Sequence, residues 1–198
     1  ADIASMMNSF LTQRGWPVFS VDAYRFKVGR GLANLIREAV PEDQVSRVDE
    51  FYPLLLEAYS ALGIGTSRPY PGVTDALRHL AASGVGLAVV SNKPDLITID
   101  MMRTLFPDLS FAYVHGSRDG VPSKPDPTTA LEAAAACGAR PDECLFVGDT
   151  AIDMNTARAA GMKAVGAAWG FRGADELREA GADILIQSMD ELPTLVSG

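Results

Sequence analysis

The residues best suited to chemistry stand where a strand gives way to a helix. In Leu145-Phe146-Val147-Gly148-Asp149-Thr150-Ala151-Ile152-Asp153 a short apolar run ends in glycine, and two acids follow, four residues apart. The run has the pattern of a strand covered on both faces in an α/β sheet, and Gly148 lets the chain turn at the carboxyl end, where such sheets bind ligands. Asp149 stands at that edge, and Asp153 falls on the same side of the following helix. Two carboxylates converging there repel by about 4 kcal/mol at 4 Å and an effective dielectric near 20, unless a cation or a basic group lies between them. Mg²⁺ takes hard oxygen ligands, commonly one or two carboxylates beside a substrate phosphate, so the pair reads as a magnesium site. The plainer alternative makes Asp149 a helix cap and Asp153 a first-turn acid favoured by the helix dipole.

Two more loops at strand ends carry groups suited to a phosphate. Ser91-Asn92-Lys93-Pro94 follows the apolar run GLAVV. With Pro94 at the first helical position, the loop amides would face an anion and the Ser91 hydroxyl would add a donor. A simple helix cap is the alternative role for Ser91 or Asn92. Lys124 lies in VPSKPDP, a loop stiffened by three prolines, with Asp126 placed as N-cap and Pro127 at the first helical position. A flexible cation on rigid backbone can be fixed near a carboxylate and a phosphate; the alternative is a surface lysine.

The elements that position these loops follow from hydrophobic period and from glycine and proline. Residues 1–65 read as helical: Ile3, Met6, Met7, Phe10 and Leu11 at helical spacing, a second helix opened by Gly29-Arg30-Gly31, and a longer one over Val45 to Leu62. The methionines and aromatics of these helices suit a core better than a cofactor site. After a Gly- and Pro-punctuated hinge at Gly65 to Gly72, strands and helices alternate to the end. Strands are expected at 85–90, 111–115, 145–147, 164–168 and 184–186. The fold class is therefore α/β, a doubly wound parallel sheet over 66–198 joined to a small all-helical unit over 1–65.

At 198 residues and 47% hydrophobic content the chain can bury a full core. A net charge of −8 argues against a general nucleic-acid or anionic-membrane surface, so a basic residue at a phosphate site is a local exception. No apolar run reaches the length of a bilayer span. Cys137 and Cys144 read as reduced, buried thiols of a cytoplasmic protein.

Taken in order, strand-SNKP, SKPDP and strand-GDTAID followed by MNTARAAGM resemble motifs two, three and four of the haloacid dehalogenase superfamily. DIASMMNSFLTQRG, VGRGLANLI and VVSNKP look most like its phosphoglycolate phosphatases. The resemblance implies a helical cap over 1–65 and an α/β hydrolase core over 66–198. It implies that Ser91, with the amide of Asn92, binds the transferring phosphoryl group and that Lys124 bridges the nucleophile and the phosphate. Asp149 would ligate Mg²⁺, with Asp153 supporting the metal directly or through water. Arg30, in the cap loop, would help select a small phosphorylated metabolite. A monomer or homodimer with no nucleic-acid or membrane partner is expected.

The superfamily's first motif, a strand ending in Asp-x-Asp-Gly-Thr that supplies the nucleophile, has no match here. Asp2 falls in the first cap helix. The expectation is a chain truncated ahead of its central strand and, by itself, inactive. A phosphomutase of the β-phosphoglucomutase type and a non-catalytic binding module are the alternative functions.

Overall fold

The structure, a computed structural model, describes residues 2–196. Four helices come first: α1 (Asp2–Thr12), α2 (Val21–Lys27), α3 (Leu32–Ala39) and α4 (Val48–Ala61). Each of α1, α3 and α4 repeats apolar residues every three or four positions, and these stripes close on one cluster in which Met7, Leu11, Ile36 and Leu55 are fully buried. Side chains of this size contribute about 1.5–3 kcal/mol each when buried, as an upper figure. Phe10, Trp16 and Phe51 meet edge to face with ring centres 5.5–6.2 Å apart. Ile97 of the α/β part belongs to the same cluster.

Helix α2 carries a Ser20 cap but no apolar stripe, because it buries a single side chain, Tyr24. It is held from outside: Asn8 Oδ1 accepts from the Tyr24 hydroxyl at 2.8 Å and from the Phe19 N–H at 3.2 Å. The segment expected as one helix from Val45 divides into a 3₁₀ turn over Glu42–Arg47 and then α4.

The second part runs α5 (Val73–Ala82), β1 (Ala88–Pro94), α6 (Asp95–Leu105), β2 (Tyr113–Ser117), α7 (Thr128–Ala136), β3 (Leu145–Gly148), α8 (Ala151–Ala160), β4 (Lys163–Ala167), α9 (Ala174–Glu179), β5 (Ile184–Ile186) and α10 (Leu192–Val196). Strand β1 starts three residues later than its apolar run because α5 ends in a left-handed Gly84 (φ 81°), and the Val85 N–H bonds back to Leu80 O at 3.0 Å. It continues through Ser-Asn-Lys to Pro94, which occupies the cap position of α6 rather than its first turn.

Every strand pair is parallel, as expected, but among the described residues the sheet is in two pieces, β1-β2 and β3-β4-β5. Among the described strands only β4 has a neighbour on both edges. Its Ala164 faces a cluster with Met154, Ala157 and Leu177, while Val165 faces one with Leu80, Ile186 and Leu192, so helices cover both sides. Strand β3, expected to be covered throughout, is half-buried at all four residues, since one of its edges carries no strand. Cys137 and Cys144 are free thiols, half-buried rather than buried.

Candidate active site

Ser91, Asn92 and Lys93 end β1. The Ser91 hydroxyl oxygen accepts the Lys93 N–H at 3.1 Å, which leaves its own proton to donate. Asn92 is 6% exposed and ties three segments together. Its amide nitrogen donates to Gly29 O and Lys124 O, both at 2.9 Å, and its oxygen accepts the Lys124 N–H at 2.9 Å. The side chain is thereby engaged in holding loops rather than free for an anion.

Lys124, followed by a cis peptide to Pro125, reaches from its loop to both sheet pieces. Its ammonium donates to Asp153 Oδ1 at 2.7 Å and to Val90 O on β1 at 3.0 Å, and it lies 5.7 Å from the ring centre of Phe146 on β3. The side chains of Lys124 and Asp153 are 12% and 10% exposed. In the same loop Asp126 accepts from the Thr128 N–H at 2.9 Å, but the cap of α7 is Pro127, so Asp126 stands one residue before the cap and Pro127 outside the first turn.

Asp153 pairs with Lys124 and also starts a helix, as the first-turn reading expected. Its Oδ2 accepts from the N–H groups of Asp149 (3.2 Å) and Thr150 (3.1 Å) and from the Thr150 hydroxyl (2.8 Å), a reciprocal box that starts α8. The cap of α8 is Thr150, not Asp149. Asp149 instead accepts the Phe171 N–H at 3.0 Å. Burial pushes its carboxyl above the ordinary value; the Phe171 N–H pulls against that rise, Asp153 adds to it and Lys124 opposes it. Gly148 serves close approach rather than a turn: a Cβ there would lie 2.1 Å from Asp153 Cβ. Gly170 is under the same constraint, 2.2 Å from Asp149 Cβ.

The loop at Gly29-Arg30-Gly31 lies over these groups. Gly31, at φ 88°, would place a Cβ 3.3 Å from Asn92 O, and Gly29, at φ 112°, one 3.6 Å from Ile152 on α8. Both positions need glycine for their left-handed backbone. The Arg30 side chain itself is exposed. Ser91, Asn92, Lys124, Asp149 and Asp153 thus gather where the two sheet pieces face each other, and Arg30 stays at the rim.

A family model described as haloacid dehalogenase-like hydrolase matches residues 1–167. The chain belongs to that family. It is 32% identical over 175 residues to the phosphoglycolate phosphatase of Xylella fastidiosa, covering 86% of this chain and 75% of that protein. To the phosphoglycolate phosphatase of Xanthomonas campestris pv. campestris it is 30% identical over 193 residues, covering 96% and 87%. The crystal structure of a predicted phosphoglycolate phosphatase from Haemophilus somnus superposes with a TM-score of 0.86 at 25% identity, over 98% of this chain and 90% of that one.

For a haloacid dehalogenase-like hydrolase the acids must also suit a metal. Among the described residues no three His, Cys, Asp or Glu side chains converge, so the ligand set of a structural zinc site is absent. A half-buried carboxylate whose charge is disfavoured by desolvation and by a neighbouring acid would suit Mg²⁺, which completes its shell with water and phosphate. Asp149 is that group, since Asp153 has both oxygens bonded.

Sequence reasoning passed over three groups. Lys93 reaches the hydroxyl of Tyr59 on α4. The loop at residues 169–172 carries the backbone N–H that binds Asp149 and meets α2 in a crossed pair. Arg25 donates to Phe171 O at 3.0 Å with its guanidinium 5.6 Å from the Phe171 ring centre, and Arg172 stands 4.8 Å from that of Phe26. A cavity of about 570 Å³ separates the helical part from the core, lined among others by Tyr24, Tyr59, Lys93, Met101, Trp169 and Phe171. Reversed Arg-Phe and Phe-Arg pairs 146 residues apart have no local signature that could have linked them. No helix among the described residues is long and apolar enough to cross a membrane.

Proposed function

We propose that the protein is a Mg²⁺-dependent phosphomonoester hydrolase that converts 2-phosphoglycolate to glycolate and phosphate. The observation that carries this reading is the Lys124 ammonium, held by Asp153 and facing Val90 and Phe146 across the space between the two sheet pieces. A phosphoryl group in transfer concentrates negative charge on its oxygens, and positioning and charge stabilisation account for most of the catalysis. Ser91 donates its hydroxyl to a phosphoryl oxygen, beside the Asn92 N–H. Lys124 offsets charge between the phosphate and the attacking carboxylate, and Asp153 keeps the ammonium aimed. Asp149 holds Mg²⁺, which supplies charge neutralisation at the phosphate when bound. Residues 1–65 act as the cap over the core at 66–198, with Arg30 selecting substrate from the loop at residues 29–31.

The relatives support the substrate, since two of them, at 30–32% identity, carry the name phosphoglycolate phosphatase. The attacking carboxylate is proposed to come from a strand ending in Asp-x-Asp-Gly-Thr, seated between β1 and β3. The unjoined sheet supports that seat, because a central strand there would pair both pieces. The phosphoryl group passes from the ester oxygen to that carboxylate, the leaving oxygen takes a proton, and water then breaks the acyl phosphate to release phosphate. Fusing such a strand ahead of Ala1 should give phosphate release from 2-phosphoglycolate that EDTA abolishes and Asp149→Ala removes. Failure to release phosphate from any small phosphomonoester would overturn the proposal.

A further inference from the structure

The cavity between the helical part and the core holds a cation that the phosphate chemistry above does not use. Lys93 extends from β1 into it, donates to the Tyr59 hydroxyl and lies 4.8 Å from the Tyr59 ring centre. It makes no ion pair among the described residues, in contrast to Lys124. The acid nearest this corner, Asp2, is engaged elsewhere: its Oδ2 accepts the Thr66 N–H at 2.7 Å and the Thr66 hydroxyl at 2.8 Å. Arg25, which also lines the cavity, donates to Phe171 O. The Tyr59 hydroxyl keeps its proton well into the alkaline range, its pKa pushed up to about 12 by burial and by Asp2. Ammonium and phenol therefore both present donors to the same space, and neither has an anionic acceptor.

Lys93 stands two residues beyond Ser91, and the two are joined by the bond from the Lys93 N–H to the Ser91 oxygen. Side chains at that separation on extended chain share a face and start roughly 7 Å apart. A phosphate at Ser91 and a carboxylate at Lys93 are thus within the span of one small molecule carrying both. At the opposite wall Gly170 and Phe171 adjoin Asp149, whose carboxylate accepts the Phe171 N–H, so the cavity borders the site.

We infer that Lys93 and Tyr59 form the subsite that holds the carboxylate of the substrate, making Lys93 the residue that selects phosphorylated carboxylic acids over neutral phosphomonoesters. This rests on the phosphatase reading of the neighbouring loops and assigns to it the end of the substrate away from the phosphate. Burial pulls the Lys93 ammonium below its ordinary pKa, a cost that an arriving carboxylate offsets. Because Tyr59 comes from α4 and Lys93 from β1, the same carboxylate would bridge cap and core.

The test is titration calorimetry on the chain with 2-phosphoglycolate and with 2-hydroxyethyl phosphate, in which a neutral alcohol replaces the carboxylate. Lys93→Met should weaken 2-phosphoglycolate by about tenfold to a hundredfold, the range of a charge-assisted hydrogen bond to a desolvated partner, and leave 2-hydroxyethyl phosphate within about twofold. Tyr59→Phe keeps the ring and its packing and should cost about threefold to tenfold on 2-phosphoglycolate alone. Equal losses on both compounds, or no loss on either, would overturn the subsite while leaving the phosphatase reading intact. If the unaltered chain binds neither compound, the same titration on the chain carrying the fused Asp-x-Asp-Gly-Thr strand decides: no binding there overturns the phosphatase reading and the subsite with it.

Discussion

Two lysines approach the same strand end, and the protein treats them differently. Lys124 is nearly buried and meets a carboxylate at 2.7 Å, which itself starts a helix. Lys93 is half-buried, meets a phenol and an aromatic face, and has no acid of its own. A buried charge given its counter-charge by the fold is fixed in place. One left with neutral partners keeps its unmet demand for an anion, and a ligand can supply it. The difference separates a group that orients chemistry from one that recognises what is brought to it.

The largest test of that comparison removes the counter-charge. Asp153→Ala leaves the Lys124 ammonium unpaired in the interior and strips three donors at the start of α8 of their acceptor. The expected loss is about 3–5 kcal/mol in urea-unfolding free energy. Lys93→Met removes a charge that has no acid partner and leaves a side chain of similar length against Tyr59, so stability should stay level or rise. Equal losses in the two variants would erase the distinction between the lysines.

A smaller effect sharpens it. Asn92 holds the Lys124 backbone at both N–H and C=O and grips the loop at residues 29–31 through Gly29 O. Asn92→Ala leaves those three groups without their partner and should cost about 2–3 kcal/mol. Hydrogen exchange at the Lys124 amide should speed up markedly, while amides of β4, which this clamp does not touch, keep their protection.

The chain order of helices and strands was legible because each has its own period and punctuation. The strand Ile184 to Ile186 matches its expected bounds. What escaped was whatever depends on distant partners. Helix α2 lacks an apolar stripe and is held through Asn8. Around the site, residue types named Ser91, Lys124, Asp149 and Asp153, but not their division of labour. That Asp153 would serve Lys124 and the helix start together, and that Asn92 would clamp two loops, follows from approach in space. Lys93 was hidden by its neighbours in SNKP, since an alternating strand gives no hint that Tyr59, 34 residues away on a helix, will meet it.

The smallest expected effect reads the charge on Lys93 itself. Burial lowers its pKa from 10.5, so the unfolded chain holds that proton to higher pH than the folded one. Native stability should therefore rise as pH climbs through the folded-state pKa and level off near 10.5. Tyr59 acts in the opposite sense at still higher pH. Its pKa rises from 10.0 to about 12, so the unfolded chain loses that proton first, and stability falls as pH rises above 10.0. Urea unfolding of the unaltered chain and of Lys93→Met, compared from neutral pH up to 10.5, isolates the lysine. The Met variant should be the more stable at neutral pH, with a margin that shrinks toward the alkaline end as the native ammonium loses its proton. A margin that stays flat would mean that Lys93 carries its charge without cost and needs no anion from outside.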